Sequence, residues 1–277
     1  MNSLRAVFRL SRVAVHLCYG AAVVVLVFPF IRHGGRRALK RRWSAQLVGM
    51  LGLRLIGRQG AVLRGLVVAN HISWLDIFVI NAMHPVAFVA KDDVEAWPLI
   101  GWLAATNETV FLERGSRRAA HAAGQRVAAM LAQGAAVAVF PEGTTTEGDQ
   151  VLPFRGALLQ GAVEAGTQVQ PLALRYVCRA GRRSAAPAYC GDTSLLSSLW
   201  QIVCASGLTA VCVPLPPVSA DGRDRRELAA ACAASIEAAL GLAQQHQGPG
   251  RDDVDQRDEH GGTADVLGPL GEAVAFE

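Results

Sequence analysis

The sequence predicts an α/β fold, a sheet covered by helices on both faces and preceded by an N-terminal helix that meets a membrane. Three observations carry this reading. From Ala61 onward, apolar runs of strand length alternate with segments of helical periodicity. Nearer the N-terminus, Val13 to Ile31 gives 19 mostly apolar residues, close to the roughly 20 that cross a bilayer. The 277-residue chain is 51% hydrophobic with a mean hydropathy of +0.26, which is enough to bury one large core and more apolar than most soluble domains.

Arg5, Arg9 and Arg12 precede the apolar stretch, and Arg32, Arg36, Arg37, Lys40, Arg41 and Arg42 follow it. The run Phe28-Pro29-Phe30-Ile31-Arg32 offers no small-residue cleavage site, which argues against a secretory signal. The heavier basic cluster on the C-terminal side places the rest of the chain in the cytoplasm, at the inner membrane. His16 and Pro29 leave two alternatives open, a buried core helix or one lying in the interface. From Arg42 to Arg58, Trp43, Leu47, Val48, Leu51, Leu55 and Ile56 alternate with basic residues in an amphipathic pattern that can lie on a membrane or pack on the core.

Beyond it the pattern predicts strands at 62–69, 86–90, 109–112, 135–140 and 169–176 and helices at 74–83, 117–133 and 155–165, with a turn region around Pro98 and Gly101. The segment 177–215 shows no clear pattern apart from a strand at 208–213, and an alanine-rich helix follows it at 223–243. Apolar strands separated by helices read as a sheet buried on both faces. The expected division is therefore membrane-associating helices at 1–58, a catalytic domain at 59–243 and a disordered acidic tail at 244–277.

From residue 243 on, eight acidic residues stand against two arginines, and without them the chain carries 25 basic and 15 acidic residues. A positive body suits an anionic membrane surface or phosphorylated substrates. No nucleic-acid-binding motif accompanies the charge, so nucleic acid is not an expected partner. The six cysteines form no C-x-x-C pair and several sit in apolar runs, which fits small core residues in a reducing compartment and no metal site.

The stretch Val67-Val68-Ala69-Asn70-His71-Ile72-Ser73-Trp74-Leu75-Asp76 holds the candidate catalytic pair. On one continuous helix a five-residue separation turns the chain by about 500°, leaving His71 and Asp76 about 140° apart. They meet only if His71 lies in the turn before the helix, with Ser73 and Asp76 as a capping box and the Asp76 carboxylate leaning back toward the imidazole. Asp76 would then fix the tautomer of His71 and stabilise its imidazolium, making a base with its orienting group. The plainer alternative is a cap residue beside a turn histidine.

The string Asn70-His71-x-Ser73-x-x-Asp76, followed by Phe140-Pro141-Glu142-Gly143-Thr144, resembles the signature of the 1-acyl-sn-glycerol-3-phosphate acyltransferase family, the PlsC-like lysophospholipid acyltransferases. The resemblance covers roughly residues 60–215 and implies a glycerolipid-acyltransferase-like mixed sheet flanked by helices. It implies acyl transfer from acyl-CoA or acyl carrier protein to a hydroxyl of a lysolipid in the membrane, with no cofactor. Arg114, in Thr109-Val110-Phe111-Leu112-Glu113-Arg114, matches the family's phosphate-binding arginine, and Pro171 matches the block that shapes the acyl site. Glu142, Gly143 and Thr144 would position the acceptor head group, with Gly143 offering a backbone N–H to an anion. Lys91 and Arg155 stand where family members commonly carry basic residues and would meet phosphates. The absence of a G-x-S-x-G elbow argues against a serine hydrolase, and the intact His71 and Asp76 argue against a lipid-binding protein without turnover.

One departure bears on the acceptor. The third block usually runs Glu-Gly-Thr-Arg-Ser, and here Thr145 replaces the arginine. A guanidinium there would contribute a charge-assisted bond to phosphate of about 1.5–3 kcal/mol. Thr144 to Gly148, followed by Val151 to Arg155, also resembles the branch of the family that acylates lyso-ornithine lipids. Lysophosphatidic acid is the first expectation and lyso-ornithine lipid its rival.

Overall fold

A mixed sheet of eight strands orders the molecule, in the sequence β1-β7-β6-β2-β5-β3-β4, with β8 paired to the start of β6. The computed structural model describes residues 2–57, 63–91, 100–112 and 117–242, which all belong to one unit. At the centre is β2 (Leu66–Ala69), every residue buried, with β5 (Val137–Val139) on one side and β6 (Gln168–Val177) on the other, both parallel to it. β3 (Ala87–Lys91) and β4 (Val110–Leu112) continue the parallel half beyond β5. On the far side β7 (Leu208–Pro214) runs antiparallel to β6, and β1 (Leu53–Gly57) runs parallel to β7. β8 is the short Val218–Ser219.

Successive residues of β2 point to opposite faces and so enter two separate apolar layers. Val67 and Ala69 pack with Leu47 and Val48 of α2 (His33–Met50), Val79 and Ile80 of α3 (Asp76–Met83), and Ile202 and Val203 of α7 (Leu195–Cys204). Leu66 and Val68 pack with Val127 and Leu131 of α5 (Arg117–Ala132), Ala162 of α6 (Gln160–Glu164) and Leu228 and Cys232 of α8 (Arg225–Leu240). This double burial explains why the strands read as continuous apolar runs. α8 begins in a capping box formed by Asp224 and Glu227.

The N-terminal region departs from expectation in two ways. The amphipathic pattern of 42–58 is not one helix: α2 ends at Met50, and Leu53–Gly57 is an edge strand of the sheet, registered from Leu53 against Leu208 to Gly57 against Cys212. The first 58 residues are therefore not solely membrane-associating helices. The partner of β1 lies some 150 residues away, beyond the reach of local periodicity. Elsewhere, α4 (Ile100–Thr106) occupies what reads as a turn region, and α7 falls in the segment without a clear pattern, capped by Ser194, whose hydroxyl accepts the Ser197 N–H. The acidic tail lies outside the described residues.

α1 (Asn2–Leu26) belongs to a segment, Ser3–Phe30, long and apolar enough to cross a membrane. One face, with Ala6, Val13 and His16, is buried, while Leu4, Phe8, Val15, Tyr19 and Leu26 are exposed. His16 is explained by α2: its Nε2 donates to the Trp43 carbonyl at 3.0 Å, the Trp43 indole N–H donates to the His16 carbonyl at 3.1 Å, and the rings stack 4.8 Å apart. The flanking arginines also serve the fold. Arg9 donates to the carbonyls of Val203 and Ala205 at 2.8 and 2.9 Å, and Arg5 to that of Cys204 at 3.1 Å, satisfying the C-terminal end of α7. From α2, Arg37 and Lys40 donate to the carbonyls of Pro85 and Val86 at 2.6 and 2.7 Å.

Gly20 permits the close approach of α1 and α2, because a Cβ there would stand 2.5 Å from Trp43 Nε1. Gly20→Leu is expected to force the helices apart and lower stability by about 1–3 kcal/mol, read as a drop in denaturation midpoint.

Candidate active site

The parallel strands β2, β5, β3 and β4 all end at one edge of the sheet, the edge at which open α/β sheets carry their crevice. β2 delivers Asn70 and His71 there, β5 delivers Phe140 to Thr144, and Lys91 is the last residue of β3. Arg114, two residues beyond β4, lies outside the described residues, as do the surroundings of the Lys91 side chain.

The turn after β2 begins with a side chain that behaves as backbone. Asn70 is fully buried; its amide donates to the Leu174 carbonyl at 2.8 Å and its Oδ1 accepts the Leu174 N–H at 2.8 Å. These two bonds carry the β2–β6 ladder past the strand end, which fixes where the next residue, His71, leaves the sheet.

His71 and Asp76 meet. Nδ1 of His71 donates to Oδ2 of Asp76 at 2.9 Å, across a turn in which Oδ2 also accepts the backbone N–H groups of Ile72 at 2.7 Å and Ser73 at 3.0 Å. Half of the expected capping box forms. Asp76 accepts from Ser73 N–H, but the Ser73 hydroxyl accepts from Leu75 N–H, and α3 begins at Asp76 instead of Trp74. A carboxylate oxygen is only an acceptor, so Nδ1 must carry the proton, and the lone pair of the neutral imidazole sits on Nε2. The ring stacks on Phe140 with centroids 4.0 Å apart and keeps 20% of its side-chain surface exposed, whereas Asp76 is completely buried. The second oxygen of Asp76, Oδ1, accepts the Tyr176 hydroxyl at 2.7 Å.

Glu142 is not presented to a substrate. Only 3% exposed, its Oε1 accepts the His71 N–H at 2.7 Å and its Oε2 the Leu152 N–H at 3.0 Å. It ties the His71 turn to the chain after the second motif. Burial pushes its carboxyl up to about 7 against the opposing pull of these two donors, with Asp76 adding repulsion. Gly143 likewise spends its N–H on the Phe140 carbonyl at 3.1 Å and not on an anion. Its φ of +72° favours glycine, and a Cβ there would crowd the Arg155 guanidinium at 3.0 Å. Arg155 and Thr144 are exposed beside this turn. Pro171 is buried inside the sheet, registered with Val68.

Thr145, where the family pattern has arginine, donates its hydroxyl to the Tyr189 carbonyl, while the Tyr189 N–H reaches the Ile72 carbonyl at 3.0 Å. The loop before α7 is thereby fastened to both motifs. Trp74 adds a bond from its indole N–H to the Ser198 hydroxyl of α7 at 3.0 Å. Sequence reasoning had Asn70 in the motif string without its role as a ladder extension, and it missed Tyr176 and Ser198 as parts of this assembly; the one signal available was a tyrosine in an apolar strand, whose buried hydroxyl demands a partner. Among the described residues no three His, Cys, Asp or Glu side chains gather to hold a metal ion.

Because the folded carboxyl of Glu142 titrates near about 7 and not at its ordinary 4.5, the folded chain binds this proton more tightly than the unfolded one. The stability from this group is full below about pH 4.5 and is lost as pH rises through about 7. Glu142→Gln is expected to remove that slope. It also turns an amide nitrogen toward a backbone donor, costing about 1–3 kcal/mol. Thermal denaturation of both proteins across pH 5 to 8 measures the two effects together.

A family model described as Acyltransferase matches residues 58–175. The 1-acyl-sn-glycerol-3-phosphate acyltransferase of Neisseria gonorrhoeae is 40% identical over 179 residues, 63% of this chain and 69% of that protein. The lyso-ornithine lipid O-acyltransferase of Pseudomonas aeruginosa is 38% identical over 206 residues, 74% of this chain and 79% of that protein. The crystal structure of the 1-acyl-sn-glycerophosphate acyltransferase PlsC from Thermotoga maritima has the same fold, with a TM-score of 0.66 at 20% identity over 88% of this chain and 96% of its own. By sequence, then, the chain belongs to the PlsC-like 1-acyl-sn-glycerol-3-phosphate acyltransferase family and is an O-acyltransferase.

Proposed function

We propose that this protein moves a fatty acyl group from a thioester, acyl-CoA or acyl carrier protein, to the free hydroxyl of a lysolipid, with lysophosphatidic acid as the foremost acceptor and phosphatidic acid as product. The observation that carries the reading is the 2.9 Å bond from His71 Nδ1 to Asp76 Oδ2, which leaves Nε2 as the basic nitrogen on a partly exposed ring. Nε2 takes the proton of the acceptor hydroxyl as its oxygen attacks the thioester carbonyl. The tetrahedral intermediate collapses with cleavage of the C–S bond, and the imidazolium returns the proton to the departing thiolate. Asp76, held by backbone and Tyr176 donors, stabilises the imidazolium in between. Arg114 binds the acceptor's phosphate, and Lys91, Arg155 and Thr144 also serve substrate head groups; this assignment rests on the family pattern. Both substrates supply their own reacting groups, so the reading needs no cofactor.

The exposed apolar face of α1 supports a place in the cytoplasmic membrane with the catalytic unit on the cytoplasmic side, where acyl thioesters are made.

A second acceptor is favoured by one specific observation. Thr145 supplies no cation and its hydroxyl is spent on Tyr189, which leaves this part of the site poorer in charge for a phosphomonoester. Lyso-ornithine lipid, the acceptor named for the Pseudomonas aeruginosa relative, carries no phosphate.

His71→Ala is expected to abolish thioester-dependent acyl transfer. Asp76→Asn, which mis-sets the tautomer, is expected to lower it by about 10³–10⁴-fold in a folded protein. Near-normal turnover in His71→Ala would overturn the mechanism. Supplying purified protein with lysophosphatidic acid and lyso-ornithine lipid at equal concentration decides the acceptor, and preferential acylation of the first is the expected result.

A further inference from the structure

We propose that Tyr176 is a positioning residue of this acyltransferase, its hydroxyl gripping Oδ1 of Asp76 so that Oδ2 is held toward His71. The inference deepens the reading of His71 as the base and rests on it. Tyr176 lies in β6 at 1% exposure, inside the apolar layer that also holds Leu174, Ala210 and Cys212. A phenylalanine would fill that space without burying a hydroxyl, which is unfavourable unless the hydroxyl is bonded. Here it donates to Asp76 at 2.7 Å.

The distribution of donors around Asp76 gives this bond its particular role. His71 Nδ1, Ile72 N–H and Ser73 N–H all converge on Oδ2, and Tyr176 is the donor on Oδ1 among the described residues. A carboxylate turns easily about its last torsion. Without Tyr176, three donors on one oxygen leave the other unsatisfied in a dry core, and the group gains by rotating to share them. The bidirectional grip of β6 and the turn stops that rotation. β6 is itself fixed two residues earlier, where the Leu174 backbone is paired by Asn70.

The grip matters most when the ring is charged: with Oδ2 swung away, the imidazolium that forms during transfer loses its anionic partner. The other titratable groups facing Asp76 are the Cys212 thiol from β7, which burial pushes up to about 12, and Glu142 from the turn after β5. Cys212 therefore stays neutral across the working range, and Glu142 is the one group that must be controlled for.

The test is the pH dependence of transfer by the full-length protein and by Tyr176→Phe, with Ile80→Val as a control that loosens the same apolar layer without touching a partner of Asp76. Tyr176→Phe is expected to lower kcat about tenfold with little change in KM and to move the acid limb of the kcat profile downward by about 0.5–1 pH unit, because an imidazolium without its carboxylate gives up its proton more readily. Ile80→Val is expected to leave the limb in place. The shift should persist when both proteins also carry Glu142→Gln, which removes the other group that titrates in this window. An unmoved limb in Tyr176→Phe, with His71→Ala still inactive, would overturn this role while leaving the mechanism intact; an active His71→Ala would remove the mechanism itself. Should the phenylalanine variant fail to fold, 4-aminophenylalanine at position 176, a weaker donor of nearly the same shape, is expected to lower kcat and move the limb in the same downward direction, and no movement would again overturn the role.

Discussion

A single buried anion organises the site. Asp76 has no solvent contact, and an unpaired carboxylate in such a place would take up a proton or destabilise the fold. Among the described residues its four donors are the imidazole of His71, two backbone N–H groups of the intervening turn and Tyr176 of β6, the strand beside β2. Satisfying the charge therefore dictates the path of the chain from 71 to 76: the turn must fold back over the first residue of α3, and β6 must lie near enough to reach it. His71 is positioned by the same bonds that make the aspartate tolerable in the core.

The second motif supports the first from outside. Glu142 accepts the N–H of His71, and the Thr146 N–H donates to the carbonyl of His71 at 2.9 Å, so both backbone polar groups of the histidine are held by the chain that follows β5. Glu142 then belongs to the framework more than to the binding surface. The adjoining turn leaves Thr144 and Arg155 exposed. A buried glutamate that accepts two backbone N–H groups and an exposed arginine thus divide between them roles that a motif string presents as one.

Much of this was legible in the sequence. The apolar run ending at Asn70 and the helical pattern that follows pointed to a turn at His71, and geometry allowed the pair to meet there. What escaped was long-range. β1 reads as the end of an amphipathic helix because its alternation is short and its partner β7 lies far along the chain. Asn70 reads as part of a motif, yet its work is to extend a ladder to Leu174, 104 residues away. Tyr176 is 100 residues from Asp76, and no periodicity announces that pairing. Arg5, Arg9 and His16 read as flanks and blemishes of an apolar segment, whereas the first two satisfy the end of α7 and the third bonds α2.

Those N-terminal bonds have a mechanical consequence. Arg9 holds the last turn of α7, Ser198 of α7 holds the indole of Trp74, and Trp74 sits in the turn between His71 and Asp76. A short train of stiff links thus runs from the apolar helix to the imidazole, with no flexible tether in between. Were α1 seated in lipid as proposed, His71 could not bob freely above the surface as a domain on a leash would. Its altitude over the bilayer would be set by the protein's own skeleton, and an acceptor held in its leaflet would meet the proposed base at one depth.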